Sequence, residues 1–135
     1  MPSEAALDAA GAGAIFPDWP ERRRAALLAA DLADLGAAPP EAPSVPAPSG
    51  DAAIAGALYV LEGSRLGGRF LARQVGEGLP HRYLDPGQRS PSWPALLEQF
   101  ERVLYDPATF AAAIGAALAV FDRFEAAGRR WLVEA

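Results

Sequence analysis

The sequence predicts an all-α fold, and three features of its composition and patterning support that prediction. Large apolar residues recur at the three- and four-residue spacings of amphipathic helices. β-Branched residues are scarce, with six valines and three isoleucines. Nearly half of the apolar residues are alanine, the strongest helix former, so we expect helices that pack closely through small side chains. A chain of 135 residues suits a single domain, which we expect to span residues 1–135.

The composition disfavours several classes of function. The net charge is −5 and the pI is near 4.8, which disfavours nucleic-acid binding because that needs a basic face against the phosphates. The chain has no cysteine, so it has no disulfide, thiolate metal ligand or cysteine nucleophile. No apolar run approaches the length of a membrane span, and the N-terminus lacks the pattern of a signal peptide. We therefore expect a soluble cytoplasmic protein.

The first third of the chain predicts one firm helix between two less regular segments. Residues 1–17 are rich in alanine and glycine and form either a short helix or a flexible tail. A helix is expected from Asp18, which with Glu21 has the spacing of a capping box, and it should stop at Gly36. Five prolines make residues 37–50 an extended surface loop.

Three further helices are predicted in the rest of the chain. One begins near residues 49–51 and runs to about Val75, before a loop over residues 76–91 that is rich in glycine and proline. Ser92 is expected to cap the next helix, and Asp106 marks the boundary before the last one. The last helix has the clearest apolar periodicity, through Phe110, Ile114, Leu118, Phe121, Phe124 or Glu125, Gly128 and Trp131.

The glycines of the second long helix form the most informative pattern of the sequence. Gly63 and Gly67 are four residues apart, so they share one helix face and leave a strip without side chains, and Gly68 follows directly. Each glycine costs about 1 kcal/mol relative to alanine inside a helix. The cost indicates a face built for close approach of a flat partner, a helix that has to bend, or tight helix packing in an alanine-rich protein.

This segment resembles the distal-helix signature of bacterial, biliverdin-producing haem oxygenases. From Leu58 to Gly68 it reads Leu-Tyr-Val-Leu-Glu-Gly-Ser-Arg-Leu-Gly-Gly, against a family core of Tyr-Val-Leu-Glu-Gly-Ser followed by Leu-Gly-Gly. The resemblance covers about residues 21–135, because a helix ending at Gly36 and a proline-containing loop precede the motif, as in the family. Four aromatic residues also look like those of the family's C-terminal helices: Trp93, Phe100, Phe121 and Trp131.

The resemblance implies a haem oxygenase-like helical bundle that cleaves haem to biliverdin, CO and iron. It implies that Gly63 and Gly67 approach the haem face, with Ser64 and Gly68 beside them. Arg102 lies on the helix from which the family often anchors haem propionates, and its alternative is an ordinary surface arginine. Haem is thus the expected ligand of this chain.

Two aromatic residues and several charged residues have ordinary alternatives to a functional role. Phe121 and Phe124 are expected to be core residues of the last helix, haem-edge contacts or both. Glu62 is the one carboxylate of the motif and could take part in a cap or in a salt bridge to Arg65 or Arg69. The three arginines 22–24 are interpreted as a solvated helix start.

The chain departs from the family at the proximal iron ligand. In the family, a histidine on the first helix ligates the iron, but the first 20 residues here contain no histidine. The single histidine, His81, is in the loop after the glycine helix and is interpreted as solvated. The sequence therefore predicts an N-terminally shortened bundle, with no confident catalytic residue and no metal ligand.

Three hypotheses about function follow. The first is a haem oxygenase. The second is a degenerate, non-catalytic member of that family, which binds a tetrapyrrole or a protein partner. The third is a truncated product whose missing helices expose an apolar groove that a homodimer covers.

Overall fold

The structure is a computed structural model that describes residues 2–41, 44–85 and 93–132. Across these ranges the chain forms helices, turns and irregular segments without a strand, which confirms the predicted all-α fold. In chain order the helices are α1 (Pro2–Ala9), α2 (Ala12–Ile15), α3 (Trp19–Arg22), α4 (Ala25–Asp34), α5 (Asp51–Ala72), α6 (Trp93–Val103) and α7 (Pro107–Leu132).

The N-terminal segment is helical, which is one of the two alternatives expected for residues 1–17. Its helices α1 and α2 place Leu7 and Phe16 in the core, where both side chains are fully buried. The ring of Phe16 meets Phe100 of α6 edge to face, with 5.8 Å between the ring centroids. The segment is therefore an integral part of the packed structure.

The single helix expected from Asp18 to Gly36 is in fact two helices. Arg23 has an extended backbone between α3 and α4. Asp18 makes no side-chain cap, because its carboxylate accepts a hydrogen bond from the Arg22 guanidinium at 2.8 Å instead. The stop at Gly36 is confirmed: this residue has a φ of +74°, the left-handed conformation that glycine adopts without strain after a helix end.

The two longest helices, α5 and α7, pack side by side and point in the same direction. Asp51 and Thr109, in the first turns of the two helices, line the same depression. Leu61 and Phe124, further along each helix, line another cavity together, so both helices run the same way. At the crossing, a methyl group added to Gly56 would lie 2.0 Å from the carbonyl oxygen of Ala113. The helix pair is thus built on a backbone contact that only glycine permits.

The core lies around the first half of α5. It combines apolar residues of α5 with side chains from the N-terminal helices, α6 and α7. Its members are Leu7, Ala12, Phe16, Trp19, Ile54, Ala55, Ala57, Leu58, Val60, Leu61, Leu96, Phe100 and Val120. Ala113 and Val120 are buried residues of α7, whereas most of its large apolar side chains lie on the surface.

The apolar stripe predicted to bury α7 lies on the surface, which corrects the sequence-based assignment. Phe110, Ile114, Leu118 and Phe121 are between 52% and 57% exposed, and Phe124 is 39% exposed. The face that packs on α5 contains Ala113 and Val120, because small side chains are needed where the two backbones approach closely. Phe121 and Phe124 are therefore not core residues of the chain.

The remaining boundaries agree with the sequence in their broad placement. The described residues between 37 and 49 have no regular secondary structure, as expected for the proline-rich loop. At the start of α7, the Asp106 carboxylate accepts a hydrogen bond from the backbone N–H of Thr109 at 2.8 Å. Ser92, the expected cap of α6, lies outside the described residues.

Candidate functional site

Gly63 and Gly67 form an open strip on α5. Both residues are exposed, and a methyl group added to either would meet nothing within 4 Å. The helix is continuous from Asp51 to Ala72, so the strip lies on an unbroken rod. Bare backbone on a rigid surface can approach a flat ligand more closely than any side-chain-covered face.

The glycine next to this strip, Gly68, serves packing within the protein. Gly68 is buried, and a methyl group there would lie 2.7 Å from the carbonyl oxygen of Leu84. Gly68 lies about 100° around the helix from Gly67, so it faces a different side. The structure thus places Gly68 against the turn of residues 81–85, whereas the resemblance had placed it beside the haem.

Ser64 is bound to the protein interior. Its hydroxyl donates a hydrogen bond to the Leu61 carbonyl at 2.6 Å and accepts one from Nη2 of Arg24 at 3.0 Å. The same Arg24 nitrogen also donates to the Leu61 carbonyl at 2.8 Å. Ser64 therefore anchors α5 to the start of α4, on a side of the helix that adjoins the open strip.

Glu62 is the centre of a buried ion-pair network. One of its carboxylate oxygens accepts hydrogen bonds from Arg22 Nη1 at 2.9 Å and from Arg65 Nε at 2.7 Å. The side chains of Glu62 and Arg22 are 3% and 0% exposed. This confirms the salt bridge to Arg65 that was one alternative for Glu62, and it corrects the interpretation of residues 22–24 as a solvated helix start, because Arg22 and Arg24 are buried.

The pKa of each buried arginine reflects its surroundings. Burial alone would lower the pKa of Arg22, but the hydrogen bond that its guanidinium donates to Asp18 and the negative charges of Glu62 and Asp18 outweigh it and raise the pKa. For Arg24, burial dominates and lowers the pKa. An arginine pKa starts so high that both groups stay charged at neutral pH, so the network keeps its positive charge.

Arg24 links three parts of the structure. Its guanidinium stacks over the ring of Tyr83 at 4.7 Å, a cation–π contact. Its backbone N–H, with that of Ala25, donates to the buried carboxylate of Glu4 and so caps the start of α4. Burial raises the pKa of Tyr83, so its phenol stays neutral near pH 7.

Asp31 fastens the turn of residues 81–85 to α4. Its carboxylate accepts hydrogen bonds from the backbone N–H groups of Arg82 at 3.1 Å and Tyr83 at 2.9 Å. Burial alone would raise the pKa of Asp31, but these donors and the Arg82 guanidinium outweigh it and lower the pKa. His81 lies at the start of this turn and is exposed.

The structure separates the other predicted site residues from the glycine strip. Arg102 is exposed and lines a depression of about 450 Å³ beside Asp51. Gly63 lies twelve residues further along α5, or about 18 Å at the rise of an α-helix. Phe121 lines another cavity, a groove of about 600 Å³ between α5, α6 and α7.

Sequence reasoning missed the two arginines that bond to the α5 motif, Arg22 and Arg24. It also missed the residues that surround them or hold the adjoining turn: Glu4, Tyr83 and Asp31. One signal could have identified two of them. Glu62 follows an apolar run, and a buried carboxylate needs a cationic partner. Three consecutive arginines on a neighbouring helix are the natural source.

Two other kinds of site are absent from the described ranges. No group of three or more His, Cys, Asp or Glu residues in these ranges could hold a metal ion. Within the same ranges, no helix combines the length and the apolar character that a membrane crossing requires.

Comparison with known proteins identifies the family. The chain is 39% identical over 112 residues to a protein named heme oxygenase from Xanthomonas campestris pv. campestris (strain 8004), a match that covers 78% of this chain and 67% of the relative. No family model matches the sequence, and no solved structure matches it. The all-helical fold agrees with the match. At this identity and coverage, the chain belongs to the haem oxygenase family.

Proposed function

We propose that this chain binds haem against the open strip of Gly63 and Gly67, and that its activity is the cleavage of haem to biliverdin, CO and iron. The observation that carries the proposal is the open space above these two glycines, which share one face of α5. Membership of the haem oxygenase family supports the choice of haem. Haem is here the substrate, and its iron supplies the chemistry that activates oxygen.

The residues of this chain hold and shape the proposed site. The bare backbone at Gly63 and Gly67 lets the ring lie close to α5. Ser64 and Glu62, held by Arg24 and Arg22, prevent rotation of α5 about its axis, because each is tied to the segment before α4. The strip therefore keeps a constant direction, which positions a flat ligand with little cost on binding.

We propose that His81 does not supply an axial ligand to the haem iron. Its turn packs through Leu84 on the Gly68 side of α5, away from the open strip. A neutral imidazole is the usual proximal ligand for this chemistry. With His81 as the single histidine, tetrapyrrole binding without turnover is the second candidate function.

The test is a hemin titration of two variants, with one matched control for the substitution in the strip. Gly67→Leu fills the open strip, and we expect a loss of hemin affinity of at least about tenfold, since the ring could no longer approach the backbone. Gly13→Leu is the control, because Gly13 is also helical and exposed and its added side chain also meets open space. His81→Ala should leave the Soret band unchanged.

The outcomes separate the alternatives. Equal hemin affinity in Gly67→Leu and the wild-type protein would contradict the strip as the binding face. After addition of an electron donor, biliverdin absorption would establish turnover, and a stable hemin complex without biliverdin would favour the non-catalytic function. Loss of the Soret band in His81→Ala would overturn the assignment of His81.

We also propose that a second copy of the chain covers the groove between α5, α6 and α7. The exposed stripe of α7 runs beside three small exposed residues at four-residue spacing, Ala111, Gly115 and Ala119. Small residues let another helix approach closely, and one helix face can pack on its own copy about a two-fold axis.

Sedimentation velocity tests this self-association. A dimer is expected in the wild-type protein and a monomer in Leu118→Gln, whereas Leu79→Gln, which changes an exposed leucine outside the stripe, should remain dimeric. A monomeric wild-type protein at high concentration would refute the proposal.

A further inference from the structure

A third cavity lies on the other side of α7, between its C-terminal half and the irregular segment before α5. Its volume is about 590 Å³, within the range of small-molecule sites. Leu61, Phe124, Trp131 and Val45 give it mainly apolar walls. Gly63 and Gly67 are not among its lining residues, so it is distinct from the proposed haem face.

Two arginines of α7, Arg123 and Arg130, line this cavity. The Nε atom of Arg123 is buried and has no hydrogen-bond partner. The guanidinium of Arg130 lies over the Trp131 ring, 5.2 Å from its centroid. Neither arginine forms an ion pair with another residue in the described part of the chain, whereas the adjacent Arg129 pairs with Glu125.

The charge at the cavity is opposite to that of the whole molecule. The chain carries a net charge of −5, but the cavity is lined by two arginines and one carboxylate, Glu41. A buried N–H without an acceptor is costly, and a guanidinium pairs best with a carboxylate. The cavity therefore offers two arginines that have no ion pair of their own in the described part of the chain, next to walls that suit an apolar body.

We propose that this cavity binds an aliphatic carboxylate of the fatty-acid type. Arg123 and Arg130 bind the carboxylate, and the chain packs between Leu61, Phe124 and Trp131. The inference does not depend on haem binding, because it rests on a different surface and on residues that the glycine strip does not use.

Isothermal titration calorimetry with decanoate and its uncharged analogue decanol tests the site. Decanoate should bind the wild-type protein at least about tenfold more tightly than decanol, because the charged hydrogen bonds are lost with the carboxylate. Arg123→Gln should weaken decanoate binding by about tenfold or more and leave decanol binding unchanged. Arg129→Gln is the matched control and should bind decanoate like the wild-type protein.

Several results would overturn the proposal. These are equal affinity for decanoate and decanol, an equal loss in Arg129→Gln, or no heat of binding from a protein whose circular dichroism shows it folded. Displacement of decanoate by stoichiometric hemin, with hemin binding weakened by Arg123→Gln, would also overturn it, because the cavity would then belong to the tetrapyrrole site. Failure of hemin binding in the strip variant alone would leave the carboxylate site intact.

Discussion

Glu62 is the residue on which the orientation of α5 most depends. Its carboxylate is almost fully buried and faces two arginines, one of them 40 positions earlier in the chain. A buried pair of this kind contributes little net stability when complete, because desolvation offsets the attraction. Its value lies in specificity, since a different rotation of α5 would bury the Glu62 carboxylate away from Arg22.

Substitution Glu62→Gln should therefore be strongly destabilising. It leaves the buried guanidinium of Arg22 without its full counter-charge, which costs about 3 kcal/mol in the free energy of unfolding. Urea denaturation followed by circular dichroism measures the change.

Glu125→Gln is the control for this substitution. It breaks a pair with Arg129 in which both side chains are more than half exposed, so its effect should stay within about 0.5 kcal/mol. Equal effects of the two substitutions would show that the Glu62 network does not hold α5.

At the scale of the element, the glycines of α5 serve two opposite purposes. Gly56 and Gly68 are places where another backbone lies against the helix. Gly63 and Gly67 face open space and make no packing contact that a methyl group would disturb. Two glycines of the helix are therefore explained by packing. The other two lower the stability of the helix without serving any packing contact in the fold.

Alanine substitutions at Gly56 and Gly63 should change stability in opposite directions. Gly56→Ala forces α5 and α7 apart, because the clash is with backbone, and should cost about 3 kcal/mol. Gly63→Ala should stabilise the protein by roughly 0.5–1 kcal/mol, since alanine is the better helix former and meets no neighbour. Thermal and urea unfolding of both variants provide the measurement.

The result at Gly63 is the more informative of the two. A destabilised Gly63→Ala would mean that this glycine is required for folding, and its openness would no longer indicate a ligand. A Gly63→Ala variant that is more stable but binds hemin more weakly would show that the natural glycine lowers stability and favours ligand binding.

The periodicity of apolar residues in α7 predicts which side chains share a face, but not whether that face is buried. Phe110, Ile114 and Leu118 share a face as their spacing predicted, but that face is half exposed. Spacing identifies which residues lie together, and it does not identify which face meets the core. The close contact between Gly56 and Ala113 determines which face of α7 meets the core. An alanine in an alanine-rich helix gives no sign of this role in the sequence.

At the scale of the whole molecule, local signals predicted the helices, and long-range contacts determined the site. The salt bridge of Glu62 with Arg65 followed from a spacing of three residues and is confirmed. The buried positions of Arg22 and Arg24 could not follow from their own surroundings in sequence, because their partners are about 40 residues away. The motif of α5 predicted the family correctly. Only the fold shows which of its glycines pack against another part of the chain and which face open space.

The most direct test of the account is to locate bound haem on the glycines themselves. Glycine-selective ¹⁵N labelling reports on the 13 glycine amides, and ferric haem broadens the signals of amides near the iron. The diamagnetic complex with zinc protoporphyrin is the reference. We predict that hemin removes the signals of Gly63 and Gly67 and preserves that of Gly115. Loss of the Gly115 and Gly56 signals with those of Gly63 and Gly67 retained would place haem in the groove of α7 and contradict the account.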